Sequence, residues 1–277
     1  MKVETLKVPG ATLHYEIRGS GPVLLLICGG VYDAEGFAGL AEALAGDRTV
    51  VTYDRRGNSR SRLDGPPAVQ SVEEHGDDAY RLLAAAGVVE DEPAEVFGNS
   101  SGAEIALDLA ARHPELVRTV VAHEPPAFEL LADGGHFREL IKRVEETFHR
   151  DGWEAAMGVF AAGVQMAGEE PAPDGGPAAV DLPSPDAMAR MQANLPFFVG
   201  YEVPPFGGWV PDLDTLRAGA VRIVPAVGAA SAGEAPHRVG VELGARLGVP
   251  VAEFPGGHGG HGNVAAFAPR LREVLAR

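Results

Sequence analysis

The stretch Glu95-Val96-Phe97-Gly98-Asn99-Ser100-Ser101-Gly102-Ala103 constrains this chain more than any other. An apolar run ends in the pattern G-x-S-x-G, and the helical run Ala103-Glu104-Ile105-Ala106-Leu107-Asp108-Leu109-Ala110 follows at once. A strand that turns into a helix within so few residues leaves no room for side chains at the flanks. Glycine at 98 and 102 therefore reads as space for backbones that nearly touch. Ser100, at the tip, is then held in a strained conformation that presents its hydroxyl as a nucleophile. In a chain with 36 glycines the motif alone carries little weight; the strand before it and the helix after it supply its meaning.

The chain on either side alternates between strand and helix patterns. Residues 5–8 and 12–17 alternate around Pro9-Gly10-Ala11 and predict a hairpin. Pro22 to Cys28 is continuously apolar, as in a parallel strand buried on both faces, and ends in Gly29-Gly30. A helix over 33–45 and a second buried strand over 48–54 come next, the strand running into Arg55-Arg56-Gly57-Asn58-Ser59-Arg60-Ser61. A helix over 72–86 precedes the Ser100 turn. After its helix comes a strand over 117–123, closed by Glu124-Pro125-Pro126. This alternation predicts an α/β fold of right-handed crossovers, with a mostly parallel sheet and helices on both faces.

From 125 to 217 the rhythm changes. Helices are expected over 136–149, 153–165 and 185–194, with a proline- and glycine-rich loop at 171–177 and no strand pattern. The segment reads as a helical insertion over the sheet, so that 1–124 and 218–277 form one core and 125–217 a cap. Strands over 221–227 and 251–254 and helices over 236–247 and 263–275 complete the core.

Composition narrows the function classes. A chain of 277 residues is long enough for one large α/β domain with a full core. A net charge of −16 argues against nucleic acid or an anionic membrane as partner. Cys28 is the sole cysteine, which excludes an intrachain disulfide and a thiolate metal cluster. Residues 1–8 lack the apolar core of a signal peptide and no apolar run approaches membrane-spanning length, so a soluble, cytoplasmic monomer or homodimer is expected. The run Gly256-Gly257-His258-Gly259-Gly260-His261 offers two histidines without a third ligand nearby, and no G-x-G-x-x-G follows the first strand. Neither a metal nor a dinucleotide cofactor is expected.

This order of elements resembles the α/β-hydrolase superfamily over nearly the whole chain outside the insertion. Four motifs carry the likeness: Cys28-Gly29-Gly30, Asp54-Arg55-Arg56-Gly57-Asn58-Ser59, the turn at Ser100, and Gly256-Gly257-His258. The superfamily usually has a His-Gly pair where this chain has Cys28-Gly29. The resemblance implies the α/β-hydrolase fold, with Ser100 as nucleophile. Serine there, rather than aspartate, argues against the carboxylate chemistry of haloalkane dehalogenases and epoxide hydrolases. A hydroxyl needs a base to take its proton. His258 lies in the Gly-Gly-His loop where the superfamily's base lies, with His261 as the rival.

The acid departs from the usual pattern. The superfamily commonly places an aspartate after glycine and two further residues in the loop following the 221–227 strand, but here the residues are Gly228-Ala229-Ala230-Ser231. The candidates are Glu124, at the end of the strand after the Ser100 helix, and Glu234, three residues beyond the usual place, with a dyad or an acid from the cap as the remaining alternatives. The implied oxyanion donors are the backbone N–H groups of Ser101 and Gly30, or of Val31 if the register shifts by one. The resemblance implies that the Asp54-to-Ser61 loop is mostly architectural, with Asn58 or Arg55 a candidate to face the pocket, and Cys28 reads as a packing residue. Phe197, Phe198, Tyr201, Phe206 and Trp209 are either cap core or the apolar wall of a pocket.

The expected function is that of a cofactor-free serine hydrolase, cleaving a carboxylic ester, lactone or thioester of an apolar small molecule through an acyl-enzyme. The absent aspartate and the altered His-Gly pair keep an alternative open. In it the same pocket belongs to a ligand-binding protein or a non-hydrolytic tailoring enzyme: a cyclase, a lyase or a catalyst of cofactor-free oxidation.

Overall fold

The structure, a computed structural model, describes residues 1–164 and 183–277. In chain order the first half comprises β1 (Lys2–Val8), β2 (Ala11–Gly19), β3 (Val23–Ile27), α1 (Ala38–Leu44), β4 (Thr49–Tyr53), β5 (Arg62–Leu63), α2 (Val72–Ala85), β6 (Ala94–Asn99), α3 (Ser101–Arg112) and β7 (Val117–His123). Then come α4 (Gly134–Asp151), α5 (Trp153–Val164), α6 (Pro185–Phe197), α7 (Val203–Gly207) and α8 (Leu213–Ala218). The chain closes with β8 (Arg222–Gly228), α9 (Ala235–Leu247), β9 (Ala252–Phe254) and α10 (Val264–Leu275).

The strands form one sheet in the order β1-β2-β4-β3-β6-β7-β8-β9, with the two-residue β5 pairing off this path with β2. β1 and β2 form an antiparallel hairpin, β2 runs antiparallel to β4, and from β4 to β9 every neighbouring pair is parallel. The continuous apolar runs in the sequence are explained by burial on both faces. Leu25 and Ile27 of β3 join Val51, Val96, Ile105 and Leu109 on one side. Leu24 and Leu26 join Phe37, Leu40, Phe97, Phe267 and Leu271 on the other, under α1 and α10.

Between β7 and β8 the described residues contain helices and turns only. α6 runs longer than its sequence pattern predicts, through Pro196, and passes into a π turn at Phe198–Glu202 before α7. The proline-rich loop expected at 171–177 lies outside the described residues. No helix among the described residues is long and apolar enough to cross a membrane.

The junction of β6 and α3 has the tight packing that its glycines anticipate. A Cβ on Gly102 would lie 2.1 Å from the Ile27 carbonyl oxygen, and one on Gly98 2.2 Å from the Gly102 carbonyl oxygen. Gly158, by contrast, sits within α5 facing open space. Gly102→Ala should therefore lower stability by roughly 1–3 kcal/mol or more. Gly158→Ala should raise it by up to about 1 kcal/mol. Denaturant midpoints of the two variants against the parent check the opposite signs.

Candidate active site

In a parallel sheet, the loops beyond the carboxyl ends of the strands form the ligand-binding edge. Here those ends deliver, from neighbouring strands, Asp54-Arg55, the Cys28-Gly29-Gly30 loop, Ser100, Glu124, Gly228 and the loop carrying His258. Ser100 has φ 56° and ψ −130°, a left-handed conformation rare outside glycine. Its N–H donates to the His123 carbonyl at 2.9 Å, and α3 starts at the next residue, turning its N-terminal N–H groups toward this edge. The loop after β3 presses directly on the turn: a Cβ on Gly29 would stand 2.6 Å from Ser100 Cβ and 2.9 Å from Ser101 N. That approach places the N–H groups of Gly30 and Ser101 around the same corner.

Glu124 is fully buried at the mouth of β7, also with positive φ, its N–H donating to Ala226 O at 2.9 Å. Its Oε2 lies 2.7 Å from His258 Nδ1. Its Oε1 accepts from Gly228 N–H at 2.8 Å and from the Ser231 hydroxyl. Burial pushes the carboxyl up, but the His258 hydrogen bond, the proximity of His123 and the Ser231 and Gly228 donors outweigh it and bring it down to about 2. A carboxylate at Nδ1 makes that nitrogen the donor and leaves Nε2 as the accepting face of the ring. Asn99 ties the same loop down, its Nδ2 donating to the His258 carbonyl and to His123 Nδ1, each at 3.0 Å. Burial pushes His123 down to about 4, so its ring is neutral near pH 7 and acts as an acceptor.

The competing candidates sit elsewhere. His261 is buried in a ring cluster with Tyr32, Phe37 and Phe267 and is pushed down to about 3 by burial. Glu234 is the N-cap residue of α9. Cys28 donates its thiol to the Tyr32 and Asp33 carbonyls, each at 3.3 Å, and burial pushes it up to about 12, as suits a packing residue. The Gly30 N–H does point to the start of α3, where Ser101 Oγ accepts it at 3.0 Å.

Arg55 and Asn58 do not line a pocket as the sequence pattern suggests. Both are fully buried and both bond Glu202 of the π turn, Arg55 at 2.9 Å and Asn58 at 3.0 Å. Arg56 pairs with Asp78 and Glu74. The aromatic group mostly serves packing. Phe197 lies against Gly57, Phe206 meets His75 edge-on, Tyr201 contacts Phe148 and Phe197, Phe198 meets Phe160, and Trp209 packs on the main core.

Sequence reasoning missed Ser231, Asn99, Asn194 and Glu202. Ser231 had a positional signal, since it fills the loop place where the superfamily commonly has its acid. Asn99 stood inside the Ser100 motif. Asn194 and Glu202 had none, because their partners lie more than 100 residues away.

With this geometry in place, the pattern of the alpha/beta hydrolase fold family matches residues 22–166, from β3 through α5. The chain belongs to the α/β-hydrolase fold family. Over 99% of its length it is 36% identical to a Bacillus subtilis (strain 168) protein named Uncharacterized hydrolase YraK, covering 96% of that protein, so the likeness extends through the helical segment. In fold it resembles a thermophilic esterase from Thermogutta terrifontis, with a TM-score of 0.75 at 19% identity over 100% of this chain and 97% of that one. It also resembles the enol-lactonase from Burkholderia xenovorans LB400, with a TM-score of 0.68 at 19% identity over 99% and 100% of the two chains.

The depressed carboxyl has a consequence for stability. A group lowered from 4.5 to about 2 on folding stabilises the native state above pH 4.5, and that contribution is lost as pH falls toward 2. Glu124→Gln should be less stable than the parent at pH 7, by at most ~3 kcal/mol. The gap should close on acidification. Urea unfolding at a series of pH values measures the convergence.

Proposed function

We propose that this protein is a serine hydrolase that cleaves a carboxylic ester, lactone or thioester of an apolar small molecule through an acyl-enzyme. The observation that carries this reading is the Glu124–His258 contact at 2.7 Å beside a serine held at positive φ. In this reading Ser100 Oγ attacks the acyl carbon while His258 Nε2 takes its proton. Glu124 holds the ring through Nδ1 and stabilises the imidazolium that forms. The tetrahedral oxyanion accepts from the backbone N–H of Ser101 and from that of Gly30, where it displaces the neutral Ser101 hydroxyl as the stronger acceptor; Val31 N–H is the neighbouring donor. Collapse expels the alcohol or thiol, which receives the proton from His258. Water then attacks the acyl-enzyme with His258 as base, releasing the acid and free Ser100. No cofactor enters this sequence.

Residues 1–124 and 218–277 act in this reading as the catalytic core, and 125–217 as its cap. The ester and lactone class comes from the chemistry of the three residues; the esterase and lactonase with similar folds accord with it but at 19% identity speak to fold alone. The case for a non-hydrolytic enzyme or binding protein rests on the altered His-Gly pair at Cys28 and on the absent aspartate at position 231, and only the second is answered by the geometry. That place holds a serine hydrogen-bonded to Glu124, so a carboxylate does reach His258.

Incubation with a fluorophosphonate should label Ser100 stoichiometrically, and Ser100→Ala should lower turnover of p-nitrophenyl esters by about 10⁴-fold or more. Failure to label, or a Ser100→Ala variant with unchanged turnover, sinks the mechanism. Glu124→Gln should cost about 10³–10⁴-fold in kcat. Glu234→Gln should change it by only a few fold, and the reverse ranking would move the acid to Glu234.

A further inference from the structure

We infer that Glu202 of the cap is a positioning residue for acyl transfer. Through Arg55 it holds the Cys28-to-Val31 loop in the conformation that turns the Gly30 N–H to the start of α3, so the oxyanion hole is complete only when the cap is seated. This rests on the serine-hydrolase reading above.

The argument begins with the peptide plane. A trans peptide points its C=O and the following N–H in opposite directions, so whatever fixes one carbonyl aims the next N–H. Arg55 Nη1 donates to Cys28 O at 2.6 Å and Nη2 to Gly30 O at 2.5 Å. The second bond directs the Val31 N–H away from Arg55. Tyr32 N–H donates to Gly29 O at 3.2 Å, and the Gly30 N–H is correspondingly directed to Ser101 Oγ. Gly30 sits at φ 54° directly after Gly29, and a Gly-Gly backbone reorients at low cost unless something holds it. The Arg55 fork is that restraint.

A guanidinium with no solvent exposure stays in place only if a carboxylate compensates it. Glu202 does so, through Oε2 to Arg55 at 2.9 Å, while its Oε1 accepts from Asn58 Nδ2 at 3.0 Å. Glu202 belongs to the helical segment, whereas Arg55 and the loop belong to the sheet. The same segment reaches the loop twice more. Asn194 Nδ2 donates to Val31 O at 3.0 Å, and Arg190 bonds Asp33 Oδ2 at 2.7 Å. Arg55 and the cap thus hold the Cys28, Gly30 and Val31 carbonyls, and the Tyr32 N–H holds that of Gly29, so the peptide planes on both sides of the Gly30 N–H are fixed.

The test is the second-order rate of Ser100 labelling by a fluorophosphonate, whose phosphoryl oxygen occupies the oxyanion hole, together with kcat and KM for p-nitrophenyl butyrate. Glu202→Gln keeps the shape and removes the charge. It should slow labelling and lower kcat by about 10-fold or more with KM little changed. Arg55→Lys keeps a cation facing Glu202 but loses the two-carbonyl fork, and should show the same split. If Glu202→Gln fails to fold, Arg55→Lys decides the matter. The control is Glu95→Gln, which removes another buried carboxylate, bonded to Arg48 and Arg118 at the opposite end of β6. It measures what lost stability alone does to labelling. Wild-type labelling in Glu202→Gln or Arg55→Lys, or slowing no greater than in Glu95→Gln, overturns this inference and leaves the hydrolase reading intact. A parent protein that does not label at Ser100 overturns both.

Discussion

Much of this structure depends on one close approach of backbones. Gly102 sits so near the Ile27 carbonyl, and Gly29 so near Ser100, that a single added carbon at either place would collide. The approach is possible because β3 and β6 are parallel neighbours with Ile27 opposite Gly98, so the loops leaving both strands emerge side by side. From there the sheet order dictates the site. Moving across the edge from β4 to β9, the strand ends present Arg55, the Cys28-Gly29-Gly30 loop, Ser100, Glu124, Gly228 and finally the His258 loop. The loop after β3 stands on one side of the serine and the carboxylate–imidazole pair on the other. Each lies within a strand spacing or two, roughly 5–10 Å, of its functional neighbour.

How much of this was legible in the sequence follows from how local each signal is. The Ser100 turn, the continuously apolar strands and the Gly-Gly-His loop are written in short stretches, each read together with the elements that flank it. They were readable, and the structure places them as the pattern anticipates. The acid was readable only as a choice between Glu124 and Glu234. Which of them lies 2.7 Å from His258 depends on the pairing of β7 with β8, a relation no local pattern encodes. Arg55 was legible only in part, for a related reason: its loop reads as mostly architectural, but its partner is not written nearby. A guanidinium beside a catalytic-looking loop suggests a pocket, and only the fold reveals Glu202, 147 residues on, as its partner. The end of the helical segment resisted reading because Pro196, Pro204 and Pro205 interrupt the periodicity. The structure absorbs them in the π turn at Phe198–Glu202 and the short helix α7.

The helical segment has a second role beyond covering apolar surface. Its polar contacts with the sheet converge on the loops after β3 and β4: Glu202 on Arg55 and Asn58, Asn194 on Ser59 and Val31, Arg190 on Asp33 and Glu35. Several of these groups are buried, where a broken hydrogen bond costs far more than on the surface. Docking of this segment is therefore specified by the same loops that approach Ser100. An apolar interface alone would tolerate sliding; this one has a defined seat.

The serine at position 231 and the glutamate at 124 are best understood as a single arrangement. Neighbouring strands lie about 4.8 Å apart, so a carboxylate moved from the loop after β8 to the end of β7, and lengthened by one methylene, still reaches the same imidazole. Once Glu124 occupies that space, an aspartate at 231 would bring a second carboxylate within hydrogen-bonding distance of the first. Like charges so close cannot both stay ionised, and one of the two would be driven to protonate. A serine of the same reach removes the conflict and adds a donor. Its hydroxyl and the Gly228 N–H satisfy Oε1, so Oε2 is left to His258. Serine at 231 thus spares Glu124 a competing carboxylate and adds one of the donors that keep it charged while buried.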